Sequence, residues 1–322
     1  MSNSIQHELN QIRENAAFAP LDDRAFLRVT GSDATRWLNG MVTNSIQSLA
    51  PGEGNYNFLL NAQGRIQGDC TIYREGDEFL LETSTNQVEA IQKHLDHFII
   101  MDDVELSAEY TERQGLLLLG PKSLAILSTL GLPTPEPLRL IRAESTHGSV
   151  ALLTPSAASV PRYELWTDAA SIASLRDAIH AAGATEVSAI TLEQLRLLEA
   201  TPRFGQDIRD RDLPQETAQT HALHFNKGCY LGQEIVERIR SRGQVHRTFT
   251  AFRLKPDSGS EALPSLPIPL EANGKPAGEL TSAALVPLPE GPTLFALGYV
   301  RREALETHQP LTYPGGSVTR SS

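Results

Sequence analysis

One order of elements occurs twice in this chain. The run AFLRVT is apolar and rich in β-formers, and Gly31 breaks it. Ala34, Trp37, Leu38 and Met41 then follow the i, i+3, i+4, i+7 spacing of an amphipathic helix, with Ser32 available to cap it. Gln63–Gly64 and Gly76–Asp77 divide the next thirty residues into a three-stranded meander, and Val88, Ile91, Leu95 and Phe98 mark a second helix. At GLLLL and Gly120 the order restarts. Pro121 suits the first turn of a helix through Ile126 and Leu130, which Gly131 can end. The strand-like runs VALLT and RYELW then lead to Asp168, the expected N-cap of a helix on Ile172, Leu175 and Ile179 that Gly183 closes. Strand, glycine, helix, strands, helix, repeated from Gly31 to Gly120, predicts an internal duplication.

Thr191 and Gln194 have the spacing of a capping box for the helix LEQLRLLEA, which Pro202 brings to an end. Beyond Arg247 the texture changes to short β-like runs, TFTAFRL, GELTSAALVPL and LFALGYV, divided by prolines and glycines, as in a small barrel or sandwich. DSGSEALPSLPIP reads as a linker within it. The expected organisation is therefore α+β: a first lobe over 1–110, a second over 111–245 and a C-terminal β-barrel over 246–322.

With 322 residues, 40% of them apolar and 21% charged, the chain can bury cores for two or three domains. No apolar run approaches the roughly 20 residues needed to cross a bilayer, and MSNSIQHELN has neither a signal-peptide nor a transit-peptide pattern, so a cytoplasmic setting is expected. Two distant cysteines, Cys70 and Cys229, make no disulfide framework and are too few to hold an iron–sulfur cluster alone. A net charge of −11 argues against direct nucleic-acid binding.

Chemistry concentrates in HFNKGCYLGQEIVERIRSRGQVHR, His224 to Arg247. Gly228 and Gly232 permit a sharp turn around Cys229, and Gln233, Glu234, Ile235, Val236 and Ile239 open a short helix that Gly243 can close. A thiol before a helix N-terminus, beside Lys227 and near His221 and His224, is placed to be stabilised as thiolate. By spacing alone, a lone cysteine is more often a small packing residue than a nucleophile. His221, His224 and Cys229 match no strong zinc spacing, and no metal site is expected. Arg238, Arg240, Arg242 and Arg247 are either a solvated helix face or, in so acidic a chain, an anion or partner patch.

KGCYLGQE, preceded by DLPQE and followed by RSRGQVHR, resembles the signature of the YgfZ family of folate-binding proteins, whose mitochondrial relatives assist iron–sulfur cluster assembly. The stretch from VTGSDATRWLNG to QGRIQGDC resembles the start of the wider superfamily that includes the T-protein of the glycine cleavage system. The resemblance implies a three-lobed ring, two related α+β lobes and a barrel around a central folate-sized hole. It implies tetrahydrofolate or a polyglutamylated derivative as ligand, and Cys229 as a functional thiol with Lys227 and Gly228 in its motif. Expected partners are iron–sulfur proteins or their assembly machinery, including iron–sulfur tRNA-modifying enzymes; neither a membrane nor an oligomer is expected.

Aligned with the superfamily, Gly68 falls on the catalytic aspartate of the aminomethyltransferases and Asp69 on its neighbour, which the strand would point to the opposite face. That substitution argues against aminomethyl transfer. For folate the resemblance implies Glu164 against the pterin edge and Arg196 from the following helix, with Asp69, Gln233 and Glu234 as further contacts. The alternatives are a folate-dependent one-carbon transferase acting on an unknown amine, and a thiol-based interaction module that binds no folate.

Overall fold

The computed structural model describes residues 2–109, 113–155, 159–243, 245–257 and 265–321. Most of the linker-like segment thus lies outside the described residues.

Both lobes and the barrel are present. The first sheet has five antiparallel strands in the order Gly54–Leu60, Ile66–Glu75, Glu78–Ser84, Arg24–Thr30, Glu105–Glu109. The second has six, in the order Leu140–Ser145, Gly148–Leu153, Arg162–Asp168, Arg113–Leu119, Ala17–Pro20, Thr185–Glu186. The start of the expected first lobe, 1–110, therefore needs a correction, while its end near 110 separates strand Glu105–Glu109 of the first sheet from Arg113–Leu119 of the second. Ala17–Pro20 pairs with Arg113–Leu119, so the chain begins in the second lobe and crosses to the first only at Arg24. Helix Ser2–Glu14 goes with it, packing Leu9 and Ile12 against Leu195 and the barrel residues Phe249, Leu297 and Tyr299. Six strands between Arg247 and Arg320 close the barrel, which removes its exposed edges.

The glycines behave as the repeat requires. Gly31 has φ +113° and Gly120 φ +109°; a Cβ would lie 2.1 Å from the Asp103 carbonyl oxygen at the first and 2.6 Å from that of Asn15 at the second. Neither position tolerates a side chain, so each strand turns into its helix at a glycine.

Three capping expectations fail for one reason: the polar side chain has a better partner elsewhere. Ser32 donates to Asp103, and the helix begins at Ala34 after Asp33. Asp168 accepts from Ala170 N and Ser171 N in a turn that precedes helix Ile172–Ala181. Ser188, not Thr191, caps helix Ala189–Leu198, while Gln194 reaches the Leu285 carbonyl on the barrel at 3.0 Å.

The sheets of the two lobes face each other across an apolar seam of Phe26, Tyr73, Leu80, Leu140, Leu153 and Trp166. Phe26 and Trp166 meet edge to face, with centroids 4.7 Å apart. Burying each such aromatic is worth roughly 2–3 kcal/mol. No helix among the described residues is long and apolar enough to cross a membrane.

Candidate functional site

Where the seam ends, a cavity of about 420 Å³ opens between the first lobe and the segment that leaves the second. Asp23, Arg24, Asp69 and Gln87 line one side; Arg196, Pro202, Arg203 and Phe204 line the other. Its size falls in the range of small-molecule sites.

Strand register decides which residues reach it. Ile66–Glu75 carries Cys70 and Ile72 into the core beneath helix Thr85–Asp96. Gly68 shares that face, and a Cβ there would lie 2.9 Å from Ile91. Asp69 points the other way, onto the cavity wall. The two positions thus take opposite faces, as the strand alternation suggests: a carboxylate at position 68 would sit in apolar packing, and the carboxylate that faces the cavity is Asp69. Tyr56 donates to it at 2.6 Å and the Gln87 amide at 2.8 Å. Burial, and then the Asp69 charge, push the Tyr56 phenol well above its usual range, so it stays a donor.

Behind this wall lies a charge cluster that sequence reasoning missed. Arg24 pairs with the buried Glu82, and Glu164, also buried, stands within its field. Burial works against the Arg24 charge, and the carboxylates outweigh it. Glu164 accepts from the Trp166 indole at 3.0 Å. Burial first, and then the Glu82 charge, push the Glu164 carboxyl up to about 8. The expected pterin contact is therefore buried beside Trp166, off the cavity wall.

Arg196 does line the cavity, but all five of its N–H donors are taken. Glu193 receives two, at 2.6 and 2.9 Å, Asp207 one at 2.6 Å, the Thr201 carbonyl one at 2.7 Å and Ser282 one at 2.8 Å. It ties helix, connecting segment and barrel together, with no donor left for a ligand. Arg203, half exposed and paired with Glu193 at 3.0 Å, is the cation on this side open to solvent. Gln233 accepts from Tyr230 N at 3.2 Å and Glu234 is exposed on its helix; neither lines the cavity, contrary to expectation.

The thiol lies outside the cavity. Cys70 is buried, and its thiol is pushed well up by burial; Cys229 is exposed. It precedes helix Gln233–Arg242, whose N-cap Gly232 has φ +82° and would place a Cβ 2.6 Å from the Asn61 carbonyl oxygen. Gly232 is thus the glycine the turn requires. At Gly228 φ is not positive and a Cβ would meet nothing within 4 Å, so the sharp turn expected there is absent. Nor does Lys227 face the thiol: its ammonium donates to the carbonyls of Asn39, Val42 and Asn44. His221 lies against the Tyr56 ring, with centroids 5.3 Å apart, and His224 Nδ1 accepts from Asn226 N at 3.3 Å.

The arginine patch divides. Arg238 and Arg240 are exposed, the latter over the Phe225 ring at 4.5 Å. The Arg242 side chain lies outside the described residues. Arg247 is withdrawn into pairs with Asp212 at 2.6 Å and Glu216 at 3.1 Å. Arg238, Arg240 and Arg247 do not line the cavity, so these three do not form one cluster at its mouth.

Two related α+β lobes closed by a barrel form the fold of the glycine cleavage aminomethyltransferases. The crystal structure of aminomethyltransferase T from Bartonella henselae superposes with a TM-score of 0.83 over 98% of this chain and 86% of that one, at 19% identity. The GCVT N-terminal domain family matches residues 1–227, and the chain belongs to it. Similar curated proteins include an aminomethyltransferase of Exiguobacterium sibiricum, 23% identical over 88% of this chain and 78% of the relative. Another is the mitochondrial iron-sulfur cluster assembly factor IBA57 homolog of Pyricularia oryzae, 28% identical over 72% of this chain and 56% of the relative.

Proposed function

We propose that this is a cytoplasmic YgfZ-type folate-binding protein that supports iron–sulfur proteins, including tRNA-modifying ones, through Cys229. The observation that carries the proposal is the separation of the two features: a solvent-exposed thiol on an anchored loop, and a polar cavity elsewhere that does not include it. Thiol chemistry on a large partner needs an accessible sulfur, which a cysteine within the cavity would not offer.

The residues present fit a folate. Asp69, fixed by Tyr56 and Gln87, accepts N–H groups from the amidine-like edge of a pterin. Phe204 offers an aromatic wall and Arg203 a cation for the glutamate tail. Bound tetrahydrofolate supplies a carrier for one-carbon units.

Titration with tetrahydrofolate tests the cavity: Asp69→Asn should weaken binding about tenfold or more, and Cys229→Ala should leave it unchanged. In cells lacking the protein, Cys229→Ala should fail to restore iron–sulfur enzyme activity. Full restoration would remove the thiol from the function.

A second reading, folate-dependent one-carbon transfer to an unknown amine, is favoured by one observation, that Asp69 faces the cavity. Turnover of an aminomethylated carrier protein that Asp69→Asn abolishes and Cys229→Ala spares would establish it.

A further inference from the structure

The sequence places Lys227 beside Cys229 as a group that would stabilise a thiolate, but the structure gives its charge a different task. We propose that Lys227 is the positioning residue of the thiol loop: its ammonium clasps residues 39–44 of the first lobe, so that Gly228 and Cys229 are held out from the surface as a fixed projection. This rests on Cys229 being the functional thiol.

The geometry is that of a cation cage. Three carbonyl oxygens converge on Lys227 Nζ, those of Asn39 at 2.7 Å and of Val42 and Asn44 at 2.6 Å, and the Tyr230 ring covers it at 5.1 Å from the centroid. Three N–H donors meet three acceptors, one each. Asn39 ends helix Ala34–Asn39, so its carbonyl is among those the helix leaves unpaired. Burial works against the ammonium, and the three carbonyls and the ring favour it.

Two backbone bonds flank the clasp, His224 N to the Thr43 carbonyl at 3.1 Å and Leu231 N to that of Gly40 at 2.9 Å. Between these three attachments Gly228 and Cys229 are exposed, and among the described residues no hydrogen bond holds the sulfur. All three protons of Lys227 are used on the lobe, so none is left for the thiolate. A guanidinium, planar with five forked donors, does not match three acceptors converging on one point.

The test uses the full chain with a nitroxide on Cys229, since Cys70 is buried and serves as the unlabelled control. The native protein should give an immobilised spectrum. Lys227→Met and Lys227→Arg should both give a mobile one, with Tyr230→Leu intermediate and still folded if the lysine variants fail to fold. The pH midpoint of iodoacetamide labelling should stay within about 0.3 unit of native in every variant, since the clasp sets position and not ionisation. An unchanged spectrum would overturn the proposal. So would a labelling midpoint that rises by about one unit in Lys227→Met, which would return Lys227 to the role of thiolate stabiliser. Neither readout needs folate or an iron–sulfur client, so failure here is distinct from failure of the proposed function.

Discussion

The two lobes share a topology and differ in what they place at matching positions. Reading outward from the strand that precedes the helix glycine, the first lobe runs Arg24–Thr30, Glu78–Ser84, Ile66–Glu75, Gly54–Leu60; the second runs Arg113–Leu119, Arg162–Asp168, Gly148–Leu153, Leu140–Ser145. Three residues before Gly31, Arg28 pairs with Leu80; three before Gly120, Leu117 pairs with Glu164. Five before each glycine, Phe26 pairs with Glu82 and Gly115 with Trp166. At these two matched positions the strand next in order carries one apolar residue and one carboxylate, Leu80 and Glu82 in the first lobe and Glu164 and Trp166 in the second, in exchanged places. Gly115 fits the exchange, because a Cβ there would lie 2.7 Å from the Trp166 ring that Phe26 also needs to meet. A duplicated scaffold keeps its strands and can differentiate by swapping side chains across its pseudo-symmetry.

Removing the seam's anchor should have the largest effect. Trp166→Ala deletes the edge-to-face partner of Phe26 and the donor to Glu164, and is expected to cost about 4 kcal/mol, read from the denaturant midpoint. A loss under about 1 kcal/mol would mean that the lobes do not depend on the seam. The matched glycines come next: Gly31→Ala and Gly120→Ala should each cost about 3 kcal/mol, by positive φ and collision with a carbonyl. If one is tolerated and the other is not, the structural equivalence of the two turns breaks.

Glu164 against Leu80 gives a pH signature. An unfolded glutamate titrates near about 4.3, and Glu164 in the fold is pushed up to about 8. Between these values the folded protein holds a proton that the unfolded chain has released. The contribution is therefore fully present at low pH and is lost as pH rises through about 8. Melting temperatures from pH 5.5 to 8.5 should fall more steeply in the native protein than in Glu164→Gln, or in Glu164→Leu, which copies the first lobe. Parallel curves would show that Glu164 ionises freely.

Legibility in the sequence followed the same division. Gly31 and Gly120 punctuate long patterned segments, so the repeat was readable; the seam exchange was not, because Glu82 and Glu164 sit in runs whose alternation does not say which face meets a second sheet. The opposite faces of Gly68 and Asp69 were readable, and Cys70 and Ile72, both apolar, also mark the face of Gly68 as the core one. Arg24 gives no local signal, being one arginine at a strand start. The motif marked Cys229 and Lys227 but not what Lys227 holds, because the partners are backbone carbonyls in a loop some 185 residues away.

The smallest effect tests whether the lobes also divide the ligand between them. The first lobe brings Asp23 and Asp69 to the cavity, and the segment leaving the second brings Arg196 and Arg203. With Arg196 fully bonded, Arg203, on the cavity wall and exposed beside Glu193, is the cation placed for an anionic tail, whereas Arg240 lies off the cavity, over Phe225 and 3.5 Å from Glu237. Exposed pairs are worth roughly 0–1 kcal/mol and fade with salt. Polyglutamyl tetrahydrofolate should therefore bind about threefold more tightly than the monoglutamyl form at low ionic strength. Arg203→Ala should remove that gain and Arg240→Ala should not. If Arg240→Ala removes it while Arg203→Ala does not, the tail runs over the motif helix, and the second lobe's exit takes no part in binding.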